Sequence, residues 1–159
     1  MFTLRIQRKT SPDGLLSSRL FDERSFYPTF IHDLKHCREE VIIESPYLAT
    51  KRVNLLLPTF RKLRKRGVRI TTHARYPGHH DELLRIQGWM VAKQLKQMGV
   101  RVKFYNNYHH RKIAVLDNYI LWEGSLNILS QSYSKEVMRR IESVELTMQM
   151  VRFLGLKRF

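Results

Sequence analysis

The 159-residue chain carries 29 Lys and Arg against 14 Asp and Glu, giving a formal charge of +15 and a pI near 10.4. That excess marks a polyanionic partner, nucleic acid first and an acidic membrane surface second, against the plainer reading of solvated basic faces. A hydrophobic fraction of 43%, arranged in regular apolar runs, excludes a disordered chain.

The length suits one domain with a sizeable core, read as 1–25 (N-terminal strand and loop) and 26–159 (core). Phe2, Leu4 and Ile6 alternate with polar residues and predict an edge strand. Met1–Lys9 lacks the apolar stretch of a secretory leader. Ser11–Gly14 is a turn, and residues 15–24 read as a loop or short helix. Tyr27, Phe30, Ile31, Leu34 and Cys37 fall at helical spacing. As the single cysteine, Cys37 excludes an internal disulfide and reads as core. Val41–Ile43 is a short buried strand. A helix follows over about Lys51–Arg66, where Pro58 demands a late start or a kink. Gly67 ends it, and Val68–Thr72 is the next strand.

Asp81 caps a helix that reaches Met98 and stops at Gly99. Trp89 and Met90 on this helix read as core or dimer-face residues. Val100, Val102 and Phe104 alternate in a further strand. Ser130–Arg140 is polar and carries a candidate helix; Val144, Leu146 and Met148 alternate as a last strand. No run approaches the roughly 18 apolar residues of a membrane span, so the expected compartment is the reduced cytoplasm. Strands alternating with helices and then a hairpin predict an α/β fold with a mixed sheet.

The most specific pattern is His110-x-Lys112, four residues, Asp117, six residues, then Gly124-Ser125-x-Asn127. In a strand over 112–117, His110 and Lys112 share a side, about 7 Å apart along the chain. An imidazole and an ammonium so placed converge on one phosphate: the nitrogen attacks phosphorus while the cation holds a non-bridging oxygen. Ile113 and Val115 face one way, Ala114 and Leu116 the other, which predicts a central strand buried on both faces. Asp117-Asn118 reads as a turn and Tyr119–Glu123 as the return strand. Gly124 permits a tight bend, and Ser125 and Asn127 add neutral donors.

This pattern resembles the signature of the phospholipase D superfamily, with every element at the family's spacing. As an order of elements the resemblance spans about Phe26–Leu146, including Glu44-Ser45-Pro46-Tyr47 after the first core strand; it is specific at 110–127. It implies a mixed β-sheet flanked by helices on both faces, and metal-independent, cofactor-free chemistry through a covalent nitrogen–phosphorus intermediate. His110 is the implied nucleophile, Lys112 and Asn127 hold phosphate oxygens, and Ser125 positions the phosphate or its loop. Asp117 and Gly124 read as structural parts of the motif.

One histidine cannot stand on both sides of a phosphorus, and the chain carries one His-x-Lys. Single-copy members of the superfamily form symmetric dimers, so the resemblance implies a homodimer in which the second His110 serves as acid and then base. The family also uses a carboxylate after the Gly-Ser-x-Asn segment to orient the imidazole. Glu142 is the candidate here, with Glu136 nearby and surface pairing with Arg139 or Arg140 as the competing role. Adjacent pairs His79-His80 and His109-His110 point oppositely on an extended chain, and no carboxylate cluster has metal spacing, so no metal site is expected.

Nucleic-acid candidates are Arg61, Arg64 and Lys65 in the run 61–66, together with Arg75, Tyr108 and Arg111 near the motif. The run reads equally as a solvated helix face. The function expected is a nuclease-type phosphodiesterase, with DNA ahead of RNA. The alternatives are a phospholipase or phosphatidyl transferase, and a non-catalytic nucleic-acid-binding module.

Overall fold

A computed structural model describes residues 17–156; the predicted strand at Phe2–Ile6 and the last three residues of the basic tail lie outside them. In chain order the elements are β1 (Ser18–Asp22), α1 (Phe26–His36), β2 (Glu40–Glu44), α2 (Thr50–Lys65), β3 (Arg69–Arg75), α3 (Glu82–Gln97), β4 (Arg101–Tyr105), β5 (Ile113–Leu116), β6 (Ile120–Gly124), β7 (Val137–Glu142) and α4 (Val144–Phe153). The strands form one sheet in the order β1-β7-β6-β5-β2-β3-β4. β2, β3 and β4 run parallel because α2 and α3 return the chain between them. The remaining pairs are antiparallel.

The predicted motif strand is β5, at the centre. Its Ala114 and Leu116 join the core beneath α1, α2 and α3, with Val41, Ile43 and Trp122. Ile113 and Val115 join Ile42, Leu121 and Ile141 beneath α4. Helices thus cover both faces of a mixed sheet. Phe21, Phe26 and Phe30 surround the Trp122 ring, whose Nε1 donates to Asp33 at 2.9 Å. Arg140 also binds that buried carboxylate, at 2.7 and 2.8 Å, so the charge is paired. Cys37 is buried, as its apolar position predicts.

Three local expectations give way. Residues 18–22 form edge strand β1 because β7 offers its free edge; β7 itself lies in the stretch read as polar with a candidate helix. Val144, Leu146 and Met148 belong to α4, not to a strand. Ser143 caps that helix by accepting from Leu146 N at 3.2 Å, and Leu146, Met150 and Leu154 repeat every four residues against the sheet. Three alternating apolar residues fit either period, and the cap decides. Pro58 sits inside α2 without a late start. Both Pro58 and Asn54 are exposed, so water meets the carbonyl that Pro58 leaves unpaired. Among the described residues no helix is long and apolar enough to cross a membrane.

Candidate active site

The C-terminal ends of β2, β3, β4 and β6 meet the starts of β5 and β7 at one end of the sheet. Here a cleft of about 530 Å³ is lined by His110, Lys112, Gly124, Ser125, Asn127 and Glu136, among others. Among the described residues His110 is the single histidine lining it. The Lys112 ammonium rests against Nδ1 of His110 and donates to its carbonyl at 2.6 Å. Partial burial, then the cations of Lys112 and Arg75, hold the His110 pKa below its usual 6.5, which favours the unprotonated, nucleophilic form. Burial also lowers the Lys112 pKa, opposed by the Glu136 charge. Oδ1 of Asn127 is buried and has no hydrogen-bond partner, an unusual state for a polar atom facing a cleft.

The motif's other residues set the backbone. Ser125 N donates to Val137 O at 3.0 Å while Ser125 Oγ accepts from Val137 N at 3.1 Å, tying β6 to β7 at the cleft. A Cβ on Gly124 would lie 2.2 Å from Val137 O, so only glycine fits. Asp117 is at the far end of the hairpin. Its carboxylate accepts from the backbone of Arg38, Glu39 and Glu40 at 2.9, 2.9 and 3.0 Å. With Asn118 it takes positive φ, 51° and 50°, which Asp and Asn tolerate. Asp117 therefore locks the turn that mounts β5.

Beneath the cleft lies a polar group that pattern reading passes over. Glu44 is fully buried and pairs with Arg111 at 2.7 and 3.0 Å. It also meets Nδ1 of His73 at 3.3 Å, which Tyr105 contacts in turn. Burial alone would raise the Glu44 pKa; the His73 contact and the Arg111 charge outweigh it, and the net shift is downward. Because Arg111 stands between His110 and Lys112, this pairing fixes how the segment presents both to the cleft. The available signal was a charged residue closing an apolar strand at Glu44, answered by His73 on the neighbouring strand. Tyr47, edge-on to His110 with ring centroids 6.3 Å apart, was likewise missed as a site residue.

Of the predicted binding residues, Arg111 lines the cleft and Arg75 lies near enough to act on His110. Arg75 also stacks on Tyr108, 5.2 Å from its ring centroid. Arg61, Arg64 and Lys65 do not join them. α2 starts beside the site and runs away from it, placing Arg61 and Arg64 roughly 16 and 21 Å along its axis from Thr50. Arg64 is committed to Val68 O, at 2.6 Å. Glu142 is also displaced. It ends β7 opposite Ile120, about 17 Å from the cleft end of that strand, and pairs with Arg140 at 2.5 Å. The carboxylates that line the cleft are Glu123 and Glu136, the latter held by Ser134 Oγ at 2.6 Å. Among the described residues no three His, Cys, Asp or Glu side chains cluster closely enough to hold a metal ion.

A family model described as "Cardiolipin synthase, PLD-like domain" matches residues 30–154. No curated protein matches the chain in sequence. Among solved structures, the phospholipase D family member Nuc from Salmonella typhimurium superposes with a TM-score of 0.69 at 14% identity, over 86% of this chain and 90% of that one. NucT from Helicobacter pylori gives 0.69 at 18% identity, over 86% and 91%. The phosphatidylserine synthase of Haemophilus influenzae gives 0.65 at 13% identity, over 87% of this chain and 38% of that one. With the family match spanning most of the chain and His110, Lys112, Ser125 and Asn127 gathered at one cleft, the chain belongs to the phospholipase D-like family of the cardiolipin synthase type.

Proposed function

We propose that the protein is a metal-independent phosphodiesterase that cleaves nucleic acid, DNA ahead of RNA, through a phosphohistidine at His110, in a cytoplasmic homodimer whose two copies complete one site. The observation that carries this reading is the meeting of His110, Lys112, Ser125 and Asn127 on one open cleft that a single imidazole faces. Substrate phosphate draws the Lys112 ammonium onto a non-bridging oxygen, and the side-chain N–H of Asn127 donates to another. Nε2 of a neutral His110 attacks phosphorus as the ester P–O bond breaks, and the departing oxygen takes a proton from His110 of the second copy, which enters the step as imidazolium and leaves it neutral. That second imidazole then removes a proton from water; the hydroxide attacks phosphorus and the N–P bond breaks. Glu136 is the carboxylate whose charge acts on the Lys112 ammonium.

Support for a second copy comes from the cleft's surroundings. Glu123 lines the cleft and two adjoining grooves. These grooves carry Leu20, Val137 and Phe153, which are 62%, 50% and 85% exposed. Apolar surface beside a half-complete site suits a two-fold contact. The charge of +15 supports a polyanionic substrate.

A second reading, transfer or hydrolysis of a phospholipid diester, is favoured by the description of the matching family model. One experiment separates the two: single- and double-stranded DNA, RNA and phosphatidylcholine vesicles, each incubated with protein in excess chelator. Nucleic-acid cleavage that persists in chelator and falls at least about 10³-fold in His110→Ala is expected. Turnover confined to lipid would sink the first reading. Light scattering at micromolar protein should give twice the chain mass; a fully active monomer would sink the shared site.

A further inference from the structure

Two tyrosines, Tyr108 and Tyr133, are each 89% exposed, so their rings are open to a partner. They stand just before two of the three chain segments that line the cleft. Tyr108 stands two residues before His110, and Tyr133 three residues before Glu136. Each has a cation against one face: the Arg75 guanidinium 5.2 Å from the Tyr108 centroid, and the Lys51 ammonium 5.5 Å from the Tyr133 centroid. The Tyr133 loop is also pinned on both sides of the ring. Gln131 is buried; its carbonyl accepts from Arg52 at 2.6 Å and its amide donates to Ser134 O at 2.9 Å. The cation holds the ring outward and leaves the opposite π-face to solvent, with little side-chain freedom left to lose on binding.

We propose that Tyr108 on Arg75 and Tyr133 on Lys51 are paired stacking platforms for unstacked nucleobases flanking the scissile phosphate, so that the substrate is single-stranded nucleic acid. This deepens, and rests on, the nucleic-acid reading above. A duplex covers its own base faces, and opening it to reach a tyrosine cancels the gain from stacking. A single strand offers free faces, and every base has one, so the platforms act without regard to sequence. The same cations stand ready for the flanking phosphates.

The test measures binding of intact protein carrying His110→Ala, which blocks turnover, by fluorescence anisotropy at fixed salt in chelator. Three probes of equal length are used: an oligothymidylate, its duplex with oligoadenylate, and an abasic deoxyribose-phosphate oligomer. Tyr108→Ala and Tyr133→Ala are each expected to weaken oligothymidylate binding on the order of tenfold. Both should leave the abasic oligomer unchanged, and the Tyr→Phe variants should retain wild-type affinity. Equal losses on the abasic probe, no loss on oligothymidylate, or a duplex bound as tightly as the single strand would overturn the stacking role. In those cases salt-sensitive binding of all three probes leaves the nucleic-acid reading standing. No binding of any probe, with phosphatidylglycerol vesicles bound instead, overturns both.

Discussion

Replacing Asp117 separates two roles that a signature residue can have, chemistry and mounting. Its carboxylate holds three backbone N–H groups, of Arg38, Glu39 and Glu40. The first two bonds are exposed, so water substitutes for much of what Asp117→Ala removes. The Glu40 amide lies on a residue 3% exposed and is left without a partner, costing about 1–3 kcal/mol. Alanine at a φ of 51° adds about 1 kcal/mol of backbone strain. The sum is about 3 kcal/mol, which at a urea slope of about 2 kcal/mol per molar lowers the unfolding midpoint by roughly 1.5 M. Asp117→Asn keeps the φ tolerance and one acceptor oxygen, so it should lose less than Asp117→Ala. Urea titrations at fixed protein concentration measure both, and turnover per folded molecule should stay within a few-fold of wild type. A midpoint unmoved in Asp117→Ala would refute the mounting role. A thousandfold loss of turnover in fully folded Asp117→Asn would show that this carboxylate takes part in the reaction.

Glu44→Gln leaves the Arg111 guanidinium and His73 without their counter-charge, and should destabilise the fold by about 3 kcal/mol; Glu44→Asp should recover part of the loss. Because the Glu44 pKa is lowered in the fold, its contribution is present above about pH 4.5 and lost as pH falls through the lower folded value. Acid unfolding of the Gln variant should lack that component. Glu136→Gln should reduce turnover while Glu142→Gln leaves it within a few-fold; the reverse order would return the orienting role to Glu142. Gly124→Ala meets Val137 O at 2.2 Å and should uncouple β6 from β7, costing at least about 2 kcal/mol by thermal or urea unfolding. In an NMR titration His110 should lose its proton at a pH below 6.5, and Arg75→Gln should move that midpoint upward. A midpoint above 6.5 would contradict the placement of both cations.

The hairpin from His110 to Asn127 was legible because its information is local. Parity places residues on a face, Asp117-Asn118 accept positive φ, and the uninterrupted apolar run Ile113–Leu116 requires a strand buried on both sides. α3 was legible for the same reason, with Asp81 accepting from Leu84 N at 3.0 Å as its cap. Where a residue's meaning depended on which end of an element meets the cleft, local pattern gave no answer. Arg61–Arg66 is as basic as any stretch of the chain, yet α2 carries it away from the site. Glu136 and Glu142 are six positions apart, one just before β7 and one at its end, and only the pairing of β7 with β6 decides which lines the cleft.

The amino-acid sequence by itself determined the family, the central strand and the group that presents an imidazole, an ammonium and an amide to one cleft, since each follows from side-chain chemistry at short spacing. Tertiary structure alone decided that β1 forms an edge strand, that β7 lies between it and β6, and that Glu44 and His73 form a buried polar base under the motif. Those outcomes rest on contacts between residues tens to more than a hundred positions apart. A free strand edge, a bare sheet face or a buried counter-charge comes into being only when distant segments meet.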